Sequence, residues 1–206
     1  AKAVYLNSYL PHYICELTKD MKTKYIHMST DCVFSGLTGP YYENSFKDGE
    51  TFYDRTKALG EVNDNKNLTF RNSIIGPDMN PNGIGLFNWF MKQTGTINGY
   101  GSVYWTGVTT LTLAKAMEKA IEEDLTGIYN LVNNTSISKL EMLQEFKKAF
   151  NKDIIINENN DLKIAKTLVN TRDDFSFIVP SYQEMIKEMA EWVFSHKQLY
   201  KHYFGE

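Results

Sequence analysis

Cysteine is scarce in this chain: Cys15 and Cys32 are the two among 206 residues. Two thiols cannot build a disulfide framework, and their spacing fits no metal-binding pattern. A reducing, cytoplasmic compartment is therefore the expected setting. Long apolar runs are missing as well. No segment approaches the ~20 residues needed to cross a bilayer, the opening residues carry no signal-peptide pattern, and no membrane partner is expected. Charge of one sign is also lacking, with 22 Lys and Arg against 25 Asp and Glu, a net charge of −3. The lysines of KDMKTK and FKKAF lie among acids and read as solvated helix faces. Without a clustered positive stripe, nucleic acid is not an expected partner. The four histidines, His12, His27, His196 and His202, are widely spaced and match no metal motif; His27 alternates with apolar neighbours and reads as packed. What is present is ordinary for a globular protein, 42% hydrophobic and 23% charged. The length suffices for one sizeable core, or for a domain with a small lobe.

Apolar spacing predicts a helix over 3–20, with Pro11 either kinking it or opening a new segment. KYIHM predicts a short strand closed by Ser29-Thr30-Asp31. A long surface loop, rich in Gly, Asn, Asp and Ser, follows to residue 50. FYDRTKALGEVNDN predicts a helix with Tyr53, Lys57 and Glu61 on one face. LTFRNSII reads as one strand over 68–75, GLFNWFMKQT as a helix and TINGYGSVYW as strand-like. TTLTLAKAMEKAIEED is an amphipathic helix capped at Thr109 or Thr110. GIYNLVN is a strand, Ser138 and Glu141 form a capping-box pattern at the next helix, DIIIN is a strand, and 181–202 is a final helix. Alternating strands and helices predict an α/β fold with a largely parallel sheet. A soft boundary is expected near residue 76, dividing residues 1–76 from 77–206.

Tyr53 and Lys57 are four residues apart, one helical turn, so both side chains share a face. A free phenol titrates near ~10 and is a poor acid–base group at neutral pH. A neighbouring ammonium favours the phenolate and is expected to lower that value, which would suit proton exchange with an alkoxide. Alone, this spacing is common in helices where a tyrosine packs on a lysine stem. Thr30, at the C-terminal end of a strand, adds a second hydroxyl where α/β sheets bind ligands; the bland alternative is a turn that merely stops the strand.

Taken together, S-T-D-C-V-F-S-G at 29–36, P-Y-Y-E at 40–43, Y-D-R-T-K-A-L-G-E at 53–61 and R-N-S-I-I-G-P at 71–77 resemble the extended short-chain dehydrogenase/reductases. Within that superfamily the chain looks most like the dTDP-4-dehydrorhamnose reductase branch, and Asn7 fits the helix that precedes the S-T-D strand. The resemblance implies a Rossmann-like doubly wound parallel sheet with a small C-terminal substrate-binding lobe. It also implies NADPH- or NADH-dependent reduction of a keto group on a nucleotide sugar, in cell-surface polysaccharide or nucleotide-sugar biosynthesis. Tyr53 would be the proton donor, Lys57 would hold the nicotinamide ribose, Thr30 would orient the substrate oxygen, and Asn7 would support a relay water. Ser29, Ile74 and Ile75 complete the implied cofactor contacts. Asp31, Asn72, Ser73, Leu86, Trp89 and Trp105 join Thr30 as implied substrate contacts, with Met79, Asn80, Gly85 and Thr109 nearby. Arg71 and Arg172 are candidates to clamp a diphosphate, or else ion-pair residues.

Two positions depart from the family pattern: Cys32, where an aromatic is usual and a buried small hydrophobe is expected, and Asp54, where glycine is typical. The family's opening strand and glycine-rich turn are not seen either. The chain is therefore expected to be the C-terminal portion of a longer protein, weak in dinucleotide binding by itself. Its exposed sheet edge would invite homodimerisation. Two alternatives stay open, an epimerase or dehydratase on the same scaffold and a non-catalytic binding subunit. A lone Asp31, with no glutamate beside it, favours reduction over dehydration.

Overall fold

The computed structural model describes residues 1–205. Its opening helix consists of α1 (Lys2–Val4), a π-helical turn at Tyr5–Tyr9, and α2 (Leu10–Leu17). Pro11 explains the break in register. It has no N–H to donate to the Asn7 carbonyl, as a continuous α-helix would require, and it is tolerated in the first turn of α2. The chain then forms β1 (Ile26–Met28), a 3-10 turn at Asp31–Val33, α3 (Phe52–Leu59), β2 (Leu68–Arg71), β3 (Ser73–Ile75) and α4 (Leu86–Lys92). Next come β4 (Gly95–Tyr100), β5 (Val103–Trp105), β6 (Gly107–Thr109), α5 (Thr110–Glu122), β7 (Gly127–Asn130) and β8 (Ile137–Ser138). The remainder is α6 (Lys139–Ala149), β9 (Ile154–Asn159), β10 (Ile164–Ala165) and α7 (Tyr182–Ser195), followed by two 3-10 turns.

The parallel sheet β1-β2-β7 aligns Met28 with Phe70 and Phe70 with Tyr129. The helix α3 makes the crossover from β1 to β2, and β7 returns from far along the chain. Three smaller ladders surround this sheet: β3-β6 and β4-β9, both parallel, and the mixed β10-β5-β8. Together these make a Rossmann-like α/β fold with no closed barrel. The core is aromatic. Phe87 on α4 meets Phe146 on α6 edge-on at 5.3 Å, and Phe70 meets Tyr129 edge-on at 6.0 Å. Met185, Ile186 and Met189 of α7 complete the packing. On α4, Phe87 and Phe90 are buried while Trp89 faces outward.

Several sequence expectations are corrected. The single strand expected over 68–75 breaks at Asn72, whose buried amide donates to the Ser73 carbonyl at 3.2 Å. The break lets β2 pair with β1 and β7 while β3 pairs with β6. TINGYGSVYW divides between two ladders, because β4 and β5 have different partners. The final helix stops at Ser195 rather than running to 202. The loop over 31–50 is less superficial than its polar composition suggests. Val33, Phe34 and Tyr41 form a second small core with Val132 and Leu168, and the Phe34 and Tyr41 rings stack at 4.2 Å.

The helix α3 is also shorter than its pattern. It is capped at Thr51, with the Asp54 carboxylate accepting back from the Thr51 N–H at 3.1 Å. The unusual Asp54 is thus half of a capping box, stabilising the helix that carries Tyr53. At the other end Gly60 stops α3 where it crosses the opening helix. A Cβ on Gly60 would lie 1.7 Å from the Asn7 carbonyl oxygen. The obstructing atoms, from Asn7 and Ser8, are all backbone, so Gly60→Ala should force the helices apart and cost about 1–3 kcal/mol or more. Urea unfolding should show a lower midpoint with an unchanged slope.

Candidate active site

The C-terminal ends of β1 and β2 lie side by side, tied by the Ser29 N–H donating to the Phe70 carbonyl at 2.8 Å. Thr30 and Asp31 leave β1 at this point, the crevice side of a parallel sheet. Thr30 caps the 3-10 turn, with its hydroxyl accepting from the Cys32 N–H at 3.2 Å and donating to Asp31 at 3.1 Å. Tyr53 reaches the same place from α3 and leaves half its surface open to solvent. One turn later, Lys57 donates to the Met28 carbonyl at 2.6 Å. Thr30, Asp31, Cys32, Tyr53 and Lys57 are thereby gathered around one strand end.

The electrostatics differ from the sequence expectation. The Tyr53 phenol is raised above its ordinary value, chiefly by burial and then by Cys32, with Asp31 and Asp54 adding to the rise. The Thr30 hydroxyl beside it pulls the other way. The Lys57 ammonium is committed instead to the strand carbonyl of Met28. Burial also lowers the Lys57 pKa, against the attraction of Glu61. Cys32 is half-buried beside the phenol rather than fully buried, and its thiol is pushed up by burial and by Asp31. Such a thiol is a poor nucleophile at neutral pH.

Beneath the site lies an ion pair. The buried carboxylate of Glu61 takes a fork from Arg71, with Nε to Oε1 at 2.8 Å and Nη2 to Oε2 at 2.7 Å. Ser29 donates to the same carboxylate at 2.6 Å, and Lys47 approaches to 3.1 Å. Arg71 is therefore neither a free diphosphate clamp nor a surface ion pair. Arg172 is engaged too, with Asp174 and with the carbonyls of Thr126 and Ile128. Asn7 donates to Thr56 at 3.1 Å, behind α3, and the Ser29 hydroxyl is taken by Glu61.

The remaining candidate residues lie elsewhere. Ile74, Ile75 and Leu86 line an open cavity of about 350 Å³ between β3 and α4. Ser73 pairs with Gly107 on β6. Trp105 is buried, its ring centroid 5.8 Å from that of Tyr182, and Trp89 is on the outer face of α4. Sequence reasoning missed Lys139, whose ammonium lies 5.4 Å from the Trp105 ring centroid and close enough to Asp31 and Cys32 to feel both. A lysine in the first turn of a helix, just after its cap, was the available signal.

His27, on β1, is buried with Nε2 unpartnered, and Nδ1 lies 3.3 Å from the Tyr25 hydroxyl. Burial, then the Lys57 charge, lowers its pKa to about 4, with Glu61 opposing and His12 adding slightly. The unfolded chain therefore binds more protons than the folded one between about pH 6.5 and 4, so stability falls as the pH drops through that window. The loss should approach about 3 kcal/mol. His27→Asn should flatten the pH profile of the urea midpoint there.

Residues 1–170 match the RmlD substrate binding domain family. The chain belongs to that family. No curated protein matches the chain. Among solved structures, the chain is similar to dTDP-4-dehydrorhamnose reductase from Bacillus anthracis in complex with NADP. That likeness has 19% identity and a TM-score of 0.75, covering 89% of this chain and 70% of that one. The Clostridium acetobutylicum dTDP-4-dehydrorhamnose reductase gives 19% identity and a TM-score of 0.74, covering 91% and 72%. The B. anthracis dTDP-glucose 4,6-dehydratase in complex with NAD gives 16% identity and a TM-score of 0.70, covering 95% and 70%. At these identities the likeness is one of fold.

Proposed function

We propose that this RmlD-family chain carries the proton-donating and substrate-binding part of an NAD(P)H-dependent reductase acting on a keto group of a nucleotide-diphosphate sugar. The reading rests above all on the placement of Tyr53 and Thr30 together at the open end of β1, with Lys57 one turn behind. A phenol raised above its ordinary pKa stays protonated at neutral pH, which is the form that donates to a reduced carbonyl oxygen. Thr30 offers a second hydroxyl to the same oxygen and fixes its direction.

The residues present fit the nicotinamide-ribose end of a dinucleotide. An ammonium has three donors. Among the described residues Lys57 uses one of them, on Met28, and that leaves two for ribose hydroxyls. Residues 2–17, upstream of β1, are helical. When bound, the reduced nicotinamide supplies the hydride. Tyr53 supplies the proton, and Lys57 holds the sugar that positions the donor.

The test is made on the intact protein, with NADPH or NADH and a panel of 4-keto nucleotide sugars. Cofactor absorbance should fall in step with a product two hydrogens heavier. An isomeric or dehydrated product with no net cofactor consumption would replace reduction by redox-neutral chemistry.

A further inference from the structure

The opening helix carries a row of aromatic side chains that stand half open to solvent. Tyr5, Tyr9 and Tyr13 follow one another at four-residue steps. Their rings stack, with centroids 5.9 Å and 5.4 Å apart and interplanar angles of 27° and 17°. They are 53%, 54% and 42% exposed. Leu17 continues the row, and Val4 and Leu6 beside Tyr5 are exposed as well. Single exposed apolar residues are normal on a protein surface, but a continuous row marks a place of contact. The helix meets the rest of the chain through other residues: Ser8 and Pro11 are buried, and Asn7 and Ser8 hold α3 at Thr56.

Area and pattern both fit a second copy of the chain. With roughly 200 Å² for each tyrosine, the three rings present about 300 Å² at these exposures. Val4, Leu6, Leu17 and the exposed Leu59 of α3, whose carbonyl accepts from His12 at 2.8 Å, extend that surface toward the ~800 Å² per partner of a specific interface. A two-fold interface must also be complementary to itself. Tyr5 and Tyr13 lie four residues either side of Tyr9, and Lys2 and Glu16 lie seven either side. Antiparallel pairing about an axis at Tyr9 therefore sets Tyr5 opposite Tyr13 and the exposed Lys2 opposite the exposed Glu16. Parallel pairing would set like charges together at both ends. Glu16 now pairs with Lys19 across one turn, an exposed contact that contributes little and is readily exchanged.

We propose that the Tyr5–Tyr9–Tyr13 row is the interface of an antiparallel homodimer with its two-fold axis at Tyr9. The copies join by helix faces, not by the edge of a sheet.

Sedimentation equilibrium of the chain should show a concentration-dependent dimer. Tyr9→Glu places two carboxylates at the axis and should weaken the dimer at least tenfold, with thermal melts showing that the variant is folded. Lys2→Glu should weaken it too, and Lys2→Glu/Glu16→Lys should recover the loss, because the swap restores opposite charges across the axis. Under mild oxidation Tyr9→Cys should form a disulfide between copies, which neither the native Cys15 nor Tyr5→Cys should do. A wild-type chain that stays monomeric at every concentration overturns the inference and leaves the row to another segment or partner. A dimer unchanged by Tyr9→Glu overturns it as well. Crosslinking through Tyr5→Cys but not Tyr9→Cys overturns the axis.

Discussion

Tyr53→Phe should lower turnover by about a hundredfold to ten-thousandfold, the range a positioned general acid contributes. The substitution removes one oxygen from a half-exposed ring and leaves the α3 capping box and the Lys57–Met28 bond untouched. Cofactor affinity should therefore stay within about twofold, while kcat and kcat/KM fall together, the pattern of an interaction made in the transition state. Lys57→Ala would behave differently, weakening cofactor binding as well as rate. Stopped-flow binding and single-turnover measurements on the intact protein separate the two. Equal loss of binding and turnover in Tyr53→Phe would remove the phenol from the chemistry.

Arg71→Met should be the most destabilising single change in the region, costing about 3–5 kcal/mol. It leaves the Glu61 carboxylate buried with Ser29 and a partly exposed Lys47 as its remaining partners. Burial by itself would raise the Glu61 pKa; the Arg71 fork, the Ser29 hydroxyl and Lys47 outweigh it and hold the group below its ordinary value. A depressed carboxylate contributes stability above its unfolded pKa, near ~4.3, and loses that contribution as the pH falls through the folded value. The deficit of Arg71→Met relative to wild type should therefore be full at neutral pH and shrink toward acid. The double variant Glu61→Leu/Arg71→Met should recover much of the loss, since well-packed apolar pairs often match a buried ion pair. Thermal melts at several pH values, together with the double-mutant cycle, test this. An Arg71→Met protein as stable as wild type at pH 7 would show that the fork contributes nothing net.

The local pieces of the site were legible in the chain because they depend on short spacing. Tyr53 and Lys57 meet by helical periodicity, Thr30 follows a strand too short to extend further, and Ser138 with Glu141 announces its own helix. Their electrostatics were not legible. The sequence places Lys57 next to Tyr53, and proximity alone predicts a lowered phenol pKa. In the fold, the ammonium turns to Met28 and the phenol is left among Asp31, Asp54 and Cys32. Likewise Arg71 carries the same charge whether it clamps a ligand or closes a buried pair. Which of these it does depends on Glu61, ten residues away, turning inward once Gly60 ends the helix.

Periodicity and turn chemistry thus determined, from the sequence alone, the α/β class, most helices and the residues around the end of β1. Contacts between distant segments decided the rest: the break at Asn72, the Gly60–Asn7 crossing, the Glu61–Arg71 pair, and the meeting of Lys139 with Trp105. The reason is physical. Backbone periodicity is fixed by neighbours within one turn or two strand residues, whereas desolvation and the pairing of charges depend on whatever packs against a group from elsewhere in the chain.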